Sequence, residues 1–280
     1  MRSAAKGSWR YIPLGLWALF VLFPLYWVVI TAFKDNKSIY NGASFLPFVD
    51  FDPTLGAWSS ILGGDNSIIE PLRNSLIAVT LSTVIAMFIG TLAAYGLARF
   101  DLRFAWMRSR DISFFIISQR MMPPVVVVMA FFILFRQMRL LDTIAGMTIV
   151  YTGFALPIVV WFMQNYFRQV PIALEEAALS DGASRFMIFW RISLPLTTPG
   201  LIATFLLAFS FSWNDFLFAV MLTQTNATTI PIAIAQQQGQ LGTSWWNICA
   251  ISLISMVPMV IAAIFLQKRL VTGLLGGSDR

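Results

Sequence analysis

The sequence predicts an all-α integral membrane protein with six transmembrane helices. Hydrophobic residues make up 58% of the 280 residues and charged residues only 11%, whereas a soluble domain carries about 25% charged residues. The apolar residues also fall in runs of about 20 residues, the length that a helix needs to cross roughly 30 Å of hydrocarbon. Because so few charges cannot cover the surface of a soluble globule of this size, we expect the chain to contact membrane lipid.

Composition also excludes several kinds of catalytic site. The chain contains no histidine and a single cysteine, Cys249. Ser-His-Asp and Cys-His catalysis, histidine-ligated metals, cysteine-based zinc clusters and a disulfide framework are therefore excluded. The net charge of +6 comes from basic residues at the ends of apolar runs, where they act as topology signals. We expect a protein that is not an enzyme and that binds no metal and no nucleic acid.

Six apolar stretches define the predicted spans. They cover residues 12–33, 74–98, 112–135, 143–167, 199–222 and 247–267. The first stretch is longer than the apolar part of a secretory signal, which has about 7–15 residues, so we expect it to remain as a span. In the third stretch the adjacent Pro123 and Pro124 interrupt the backbone hydrogen bonds, and they predict either a cavity lining or a simple bend.

The distribution of lysine and arginine predicts the orientation of the chain. Thirteen basic residues fall on the side of the two termini and five on the opposite side. Cytoplasmic loops carry the excess of basic residues, so both termini are expected in the cytoplasm. Arg136 and Arg139 are exceptions, because this orientation places their short loop on the external side. The predicted organisation is a first span with an external cap in residues 1–70, a five-helix core in residues 71–267, and a cytoplasmic tail in residues 268–280.

The cytoplasmic loop 168–196 within this core predicts a helix-turn-helix at the membrane surface. Pro171 suits the first position of a helix, and Glu175 and Glu176 lie near its start, where negative charge complements the helix dipole. Gly182 suits a helix end in the left-handed conformation. A second helix over residues 184–194 is expected to follow and to stop at Pro195.

The same loop carries a spaced motif. Glu176-Ala177-Ala178 is followed by three residues and Gly182, and after nine more residues by Ile192, Leu194 and Pro195. This motif resembles the signature loop of the permease subunits of bacterial ABC importers, with the same spacing. Four further segments are similar to the carbohydrate-uptake branch of that family: Asn74-Ser75, Met122-Pro123-Pro124, Trp213-Asn214-Asp215 and the Arg269-to-Gly273 tail.

The resemblance implies a type I ABC importer fold in a bacterial inner membrane. It also implies that the loop acts as a coupling helix, which docks on a separate ATP-binding subunit. The residues expected at that contact are Glu175, Glu176, Ala177, Ala178, Asp181 and Gly182. The chain has no phosphate-binding loop of the G-x-x-x-x-G-K-[ST] type, so it is expected to bind no cofactor, and ATP and magnesium would bind to the partner.

Further partners are implied by the resemblance. They are a homologous permease subunit, two copies of the ATP-binding subunit, and a periplasmic or lipid-anchored sugar-binding protein. The external loops at residues 34–71 and 223–246 are the candidate contacts for the binding protein.

Two charges inside the predicted spans, Arg120 and Asp215, mark a candidate translocation path. A charge at the centre of a bilayer costs about 2.5–3.5 kcal/mol, so each of them requires a reason. Sugars need hydrogen-bond donors, acceptors and aromatic faces, and the candidate residues are Arg120, Met122, Trp213, Asn214 and Asp215. In the alternative interpretation Arg120 binds carbonyls freed by the prolines, and Asp215 contacts a companion subunit. On straight helices the two charges differ in depth by about 12 Å, which disfavours an ion pair.

The leading hypothesis is therefore a permease subunit of an ATP-driven importer for a sugar or polyol. The signature loop is shared more widely, so an importer of amino acids, peptides or phosphonates is the first alternative. An ion-coupled secondary transporter would need acidic residues in the core, where only Asp215 is available. A membrane enzyme is disfavoured, because the chain lacks histidine and has few carboxylates within its spans.

Overall fold

The computed structural model describes residues 11–40, 42, 44–63, 67–104, 106–239 and 242–275, except the side chains of residues 104 and 266–275. Four basic residues that contributed to the predicted orientation lie outside this range, namely Arg2, Lys6, Arg10 and Arg280. The described part of the chain is mostly helical, at 77%, which confirms the predicted fold class.

Four continuous helices are long and apolar enough to cross a membrane. They are α1 (Tyr11–Thr31), α4 (Ile69–Arg99), α7 (Ile144–Gln169) and α14 (Trp245–Leu275). They confirm the first, second, fourth and sixth predicted spans, and the observed ends extend the second and sixth by several residues. Two short helices, α2 (Asn36–Tyr40) and α3 (Gly56–Gly63), lie between α1 and α4.

The third predicted span is not one straight helix. Helix α5 (Ser109–Ser118) and a short 3₁₀ turn end at Met121, and α6 (Pro124–Met138) then leaves at an angle of 90°. Met122 has an extended backbone, with φ −68° and ψ 136°. A residue that precedes proline avoids the helical region for steric reasons, so the two adjacent prolines break the span rather than bend it gently.

The fifth predicted span is also broken. Before this span, the helix expected over residues 184–194 is observed as α9 (Arg185–Ile188), a π-helical turn (Phe189–Ser193) and α10 (Leu194–Leu196). It does not stop at Pro195, which lies in the first turn of α10, where proline is tolerated. This segment meets α11 (Thr198–Trp213) at an angle of 76°. A second break at residues 214–216 separates α11 from α12 (Leu217–Leu222). The span predicted over residues 199–222 is therefore observed as two helices, α11 and α12, because polar side chains at this break bind nearby backbone groups instead of continuing the helix.

The remaining elements are short. Strands β1 (Arg103–Phe104) and β2 (Met107–Arg108) form an antiparallel pair that precedes α5. Helix α8 (Ile172–Ser180) follows α7, and α13 (Ile230–Ala235) follows α12. The last antiparallel pair, β3 (Gln238–Gly239) with β4 (Gly242–Thr243), precedes α14.

The chain divides into two compact units. One contains the described residues up to Glu70 together with Ala233–Val257. Within it the Lys34 side chain is buried, and its Nζ donates a 2.6 Å hydrogen bond to the carbonyl of Ser44. The ammonium also lies 4.4 Å from the ring centroid of Trp27, a distance typical of a cation–π interaction. Burial lowers the pKa of Lys34.

The other unit contains Pro71–Ile232 and the described residues from Pro258 onward. Helix α7 lies at its centre and packs against α11, α5 and α12. Close approach between helices depends on glycine here. A Cβ at Gly200 would lie 2.3 Å from Tyr166, and one at Gly90 would lie 2.6 Å from Val159. Small residues at such positions let helix backbones approach each other in membrane proteins.

Candidate functional site

The loop after α7 forms the helix-turn-helix that the sequence predicts. Helix α8 begins directly after Pro171 and ends in a turn where Gly182 has φ +83°. The amide of Ala183 donates to the carbonyl of Ala178 at 2.9 Å, and the amide of Gly182 donates to that of Leu179 at 3.0 Å. A glycine in the left-handed region with these bonds is a common helix end.

Most of the predicted contact residues lie on the surface of this segment. Glu176, Ala177, Asp181 and Gly182 are exposed, and Ala178 is half-buried. Large apolar side chains are exposed beside them, a feature that the sequence analysis did not single out. They are Ile172, Leu174, Phe186 and Met187. Exposed apolar groups next to acidic ones are typical of a surface that binds another protein.

Glu175 differs from the other predicted contact residues because its carboxylate faces the interior of the chain. Its side chain is only 2% exposed, and its Oε1 accepts a 2.8 Å hydrogen bond from Nε of Arg99. Ser193 Oγ donates to the same oxygen at 2.7 Å, and the Tyr95 hydroxyl donates to Oε2 at 3.2 Å. Arg99 Nη2 also donates to the carbonyl of Val170 at 2.8 Å.

The two charges predicted within the spans line one cavity. Its volume is about 220 Å³, and its walls include Arg120, Pro124, Tyr151, Phe154, Phe211 and Asp215. Arg120 Nη1 donates to the carbonyl of Phe154 at 2.9 Å, and its guanidinium lies 5.0 Å from the Phe211 ring centroid. Asp215 Oδ2 accepts from the amides of Phe218 at 3.1 Å and Ala219 at 3.3 Å, so it caps α12.

The broken helices explain why these charges share a cavity despite the depth difference expected for straight spans. No ion pair joins Arg120 to Asp215 in the part of the chain that the structure describes. The carbonyl that Arg120 binds belongs to α7, near Pro157, and not to the Pro123-Pro124 break. Pro124 itself lines the cavity, which matches one of the two roles considered for the prolines.

The other path candidates lie in different surroundings. Met122 lines a neighbouring, largely apolar cavity of about 440 Å³, which Arg120 also borders. Trp213 is buried and stacks on Phe209, with ring centroids 5.7 Å apart. Asn214 is exposed, and its amide donates to the carbonyl of Ser210 at 2.9 Å. Of the five candidates, only Arg120, Met122 and Asp215 line these cavities.

At the other end of α7, the loop residues 224–227 bind the carboxylate of Asp142, a contact that the sequence did not indicate. We call these residues, together with Asp142, the Asp142 cradle. The carboxylate of Asp142 accepts hydrogen bonds from four consecutive backbone amides, at residues 224–227, over 2.9 to 3.2 Å. Burial raises the pKa of Asp142, but these amides outweigh it and hold the pKa well below its usual range. The amide of Asp142 also donates to the carbonyl of Leu222 at 2.8 Å, so a single residue outside α7 holds the loop after α12 through both its backbone and its side chain.

Comparisons with known proteins bear on this arrangement. Residues 86–274 match the family described as binding-protein-dependent transport system inner membrane component. The trehalose/maltose transport system permease protein MalG of Thermococcus litoralis is 33% identical over 267 residues, which cover 94% of this chain and 93% of the relative. The trehalose transport system permease protein SugB of Mycobacterium tuberculosis is 33% identical and covers 92% of each chain.

The fold is similar to that of a solved transporter. A chain from the crystal structure of a bacterial ABC transporter involved in the import of alginate, an acidic polysaccharide, superposes with a TM-score of 0.71 at 23% identity. The match covers 96% of this chain and 98% of that one. Because the family match covers more than half of the chain and relatives at 33% identity cover nearly all of it, this protein belongs to the binding-protein-dependent transport system inner membrane components, the permeases of ABC importers.

Proposed function

We propose that this permease imports a sugar or polyol together with a homologous permease, two ATP-binding subunits and an extracytoplasmic binding protein. The observation that carries the proposal is the exposed helix-turn-helix of α8 and α9, which holds the Glu-Ala-Ala motif on its surface. The names of the relatives from Thermococcus and Mycobacterium, which specify trehalose or maltose, support the carbohydrate class.

Docking of α8 on an ATP-binding subunit supplies the driving movement. Glu176 and Asp181 offer carboxylates to basic groups or backbone donors, and Ala177 and Gly182 leave room for close approach. The exposed apolar side chains around them bury area in the contact. ATP and magnesium bind to that subunit, and this chain needs no cofactor of its own. Because α8 connects directly to α7, and α9 leads through α10 into α11, a movement of α8 acts on both long helices.

The cavity that contains Arg120 and Asp215 is the proposed contact with the substrate. A guanidinium donates to sugar hydroxyls, a carboxylate accepts from them, and the rings of Phe154 and Phe211 offer apolar faces of the kind that sugars stack on. Met122 extends the path into the neighbouring cavity. Trp213 acts through packing of α11 rather than through contact with the substrate, since it stacks inside the helix bundle.

The proposed orientation follows from the charges. Both termini and the α8–α9 segment face the cytoplasm, on the side that carries thirteen of the basic residues. The binding protein then contacts the opposite side, through residues 34–71 and 223–246. The Asp142 cradle would hold part of the second of these loops in place.

The first test is purification of the tagged chain from its own membrane in a mild detergent. Co-purification of an ATP-binding subunit and a second permease in stoichiometric amounts supports the proposal. A chain that purifies with no ATP-binding subunit would favour the ion-coupled alternative instead.

The second test reverses one charge on the docking surface. Glu176→Lys should reduce ATP-driven uptake at least tenfold while the amount of chain in the membrane stays unchanged. The matched control is Asp101→Lys, which reverses an exposed acid outside the motif. Normal uptake in Glu176→Lys, or an equal loss in the control, would contradict docking through α8.

A further inference from the structure

The buried network around Glu175 joins three parts of the chain that are distant in sequence. Glu175 lies in the first turn of α8, whereas Arg99 is the last residue of α4, 76 positions earlier. Both side chains are almost fully buried, at 2% and 5% exposure. Ser193, which also donates to Glu175, lies in the π-helical turn that leads into α10 and α11.

Arg99 holds both α8 and its connection to α7. Its Nε binds the carboxylate of Glu175, while its Nη2 binds the carbonyl of Val170, which lies between the two helices. The guanidinium fork therefore fixes the direction in which α8 leaves α7. A planar group with several donors is well suited to this task.

Aromatic packing supports the same junction. The ring of Tyr95, one turn before Arg99 on α4, lies 5.3 Å from that of Phe167 on α7 and 5.0 Å from that of Phe189 in the π-helical turn. Turns of this type are rare in helices and are found frequently at functional sites. Four elements therefore meet at this junction, namely α4, α7, α8 and the π-helical turn. Among these four, α4 has no short chain connection to α8.

A buried ion pair contributes little net stability, because the loss of hydration offsets the attraction between the charges. Its geometry is nevertheless specific, since removal of either partner leaves the other charge buried and uncompensated. The neighbouring Glu176, of identical chemistry, is exposed. Two adjacent glutamates thus lie in different surroundings, Glu176 on the exposed surface of α8 and Glu175 against Arg99 of α4.

We propose that Arg99 and Glu175 are positioning residues for coupling, which make the end of α4 move with α8. Movement of the docked α8 then enters the bundle through three long helices: through α7 and α11 by chain connection, and through α4 by the buried pair. This proposal rests on the proposed function, because it requires that an ATP-binding subunit moves α8.

The test uses the complete transporter reconstituted in proteoliposomes with its binding protein, and measures substrate molecules transported per ATP hydrolysed. The variants are Glu175→Gln, Arg99→Gln and the double variant with both changes, which leaves no uncompensated buried charge. The matched control is Asp101→Asn, which neutralises an exposed carboxylate outside the docking segment and two positions from Arg99. The amount of ATP-binding subunit bound per permease is measured for each.

We expect all three variants of the pair to retain the ATP-binding subunit and to hydrolyse ATP, while transport per ATP falls at least tenfold. The double variant should be no worse than either single variant, because the two residues act as one unit. Asp101→Asn should keep the ratio of the unaltered transporter. An unchanged ratio in Glu175→Gln and in the double variant would overturn the proposal.

Arg99→Lys provides a variant that keeps the buried charge if the others fail to assemble. It loses the fork that joins Glu175 to Val170, so transport per ATP should fall at least threefold, and an unchanged ratio would overturn the proposal. Loss of the bound ATP-binding subunit in Glu175→Gln would assign Glu175 to the docking surface, which also overturns it. An unaltered chain that binds no ATP-binding subunit would instead contradict the proposed function.

Discussion

Asp142, before α7, and Glu175, on α8 after it, have carboxylates that accept hydrogen bonds from different kinds of donor. Asp142, before α7, accepts hydrogen bonds from four backbone amides and from the side chains of Thr225 and Asn226, all in one loop. Glu175, after α7, is surrounded by the side chains of Arg99, Ser193 and Tyr95, which come from two other parts of the chain.

This difference separates two mechanical roles. The amides at residues 224–227 are neutral and fixed by the backbone, so they hold one loop in place and require no second charge. At Glu175 the donors are side chains that lie on separate elements, α4 and the π-helical turn. The ion pair therefore joins elements, whereas the amide cradle shapes a loop. Each substitution below tests this distinction, from the largest expected effect to the smallest.

The largest effect is expected for Glu175→Ala. It leaves the Arg99 guanidinium buried without its partner, which typically costs about 3–5 kcal/mol of stability. Thermal or denaturant unfolding of the detergent-purified chain measures the change. Glu176→Ala is the control, since an exposed position away from such networks usually changes stability by about 0.5 kcal/mol or less. Equal effects at the two glutamates would remove the contrast between them.

A smaller effect is expected for Asp142→Ala. Hydrogen bonds to a charged group are worth about 1.5–3 kcal/mol when buried. Residues 224–226 of the loop are exposed, so water replaces part of the lost contacts and we expect a loss of about 2 kcal/mol. Transport per ATP should remain unchanged, in contrast to the variants of the ion pair. A fall in that ratio similar to the fall in Glu175→Gln would show that both ends of α7 take part in coupling.

The pH dependence sharpens the test of the Asp142 cradle. The pKa of Asp142 lies well below its usual value in the folded chain, whereas an unfolded aspartate titrates near about 3.9. Its stabilisation is therefore complete above that value and is lost as the pH falls through the folded pKa. The difference in melting temperature between the unaltered chain and Asp142→Asn should be largest at pH 6 and should narrow at pH 3. A melting-temperature difference that does not change with pH would contradict a lowered pKa at Asp142.

The smallest effect on stability is expected at Gly182. Its φ of +83° costs an L-amino acid about 1–2 kcal/mol, and no atom lies within 4 Å of an added Cβ. Gly182→Ala and Gly182→Trp share this backbone cost and differ only in bulk. Uptake should persist in the alanine variant and be lost in the tryptophan variant, because the larger side chain blocks docking. Equal uptake in both would show that Gly182 lies outside the contact.

Much of the fold follows from local patterns. Apolar length predicts α1, α4, α7 and α14 without knowledge of any contact. The turn at Gly182 is also local, since glycine is the residue that most readily adopts its backbone conformation. The breaks near Met122 and Asp215 were harder to predict, because hydropathy averages over a window and does not register a change of helix direction.

The roles of individual polar residues required the tertiary structure. Glu175 and Glu176 are the same residue type at adjacent positions, and only the position of Arg99, far away in sequence, makes one of them internal. The Asp142 cradle depends likewise on a loop more than 80 residues later in the chain.

By itself the sequence determined the membrane class, the continuous spans, the helix-turn-helix and its motif. Each of these depends on composition or on residues within a few positions of one another. Only the tertiary structure decided which carboxylates are buried and which charges share a cavity. Those outcomes depend on distances between helices, which are determined by packing at positions such as Gly90 and Gly200 and by the angles at which the broken spans turn.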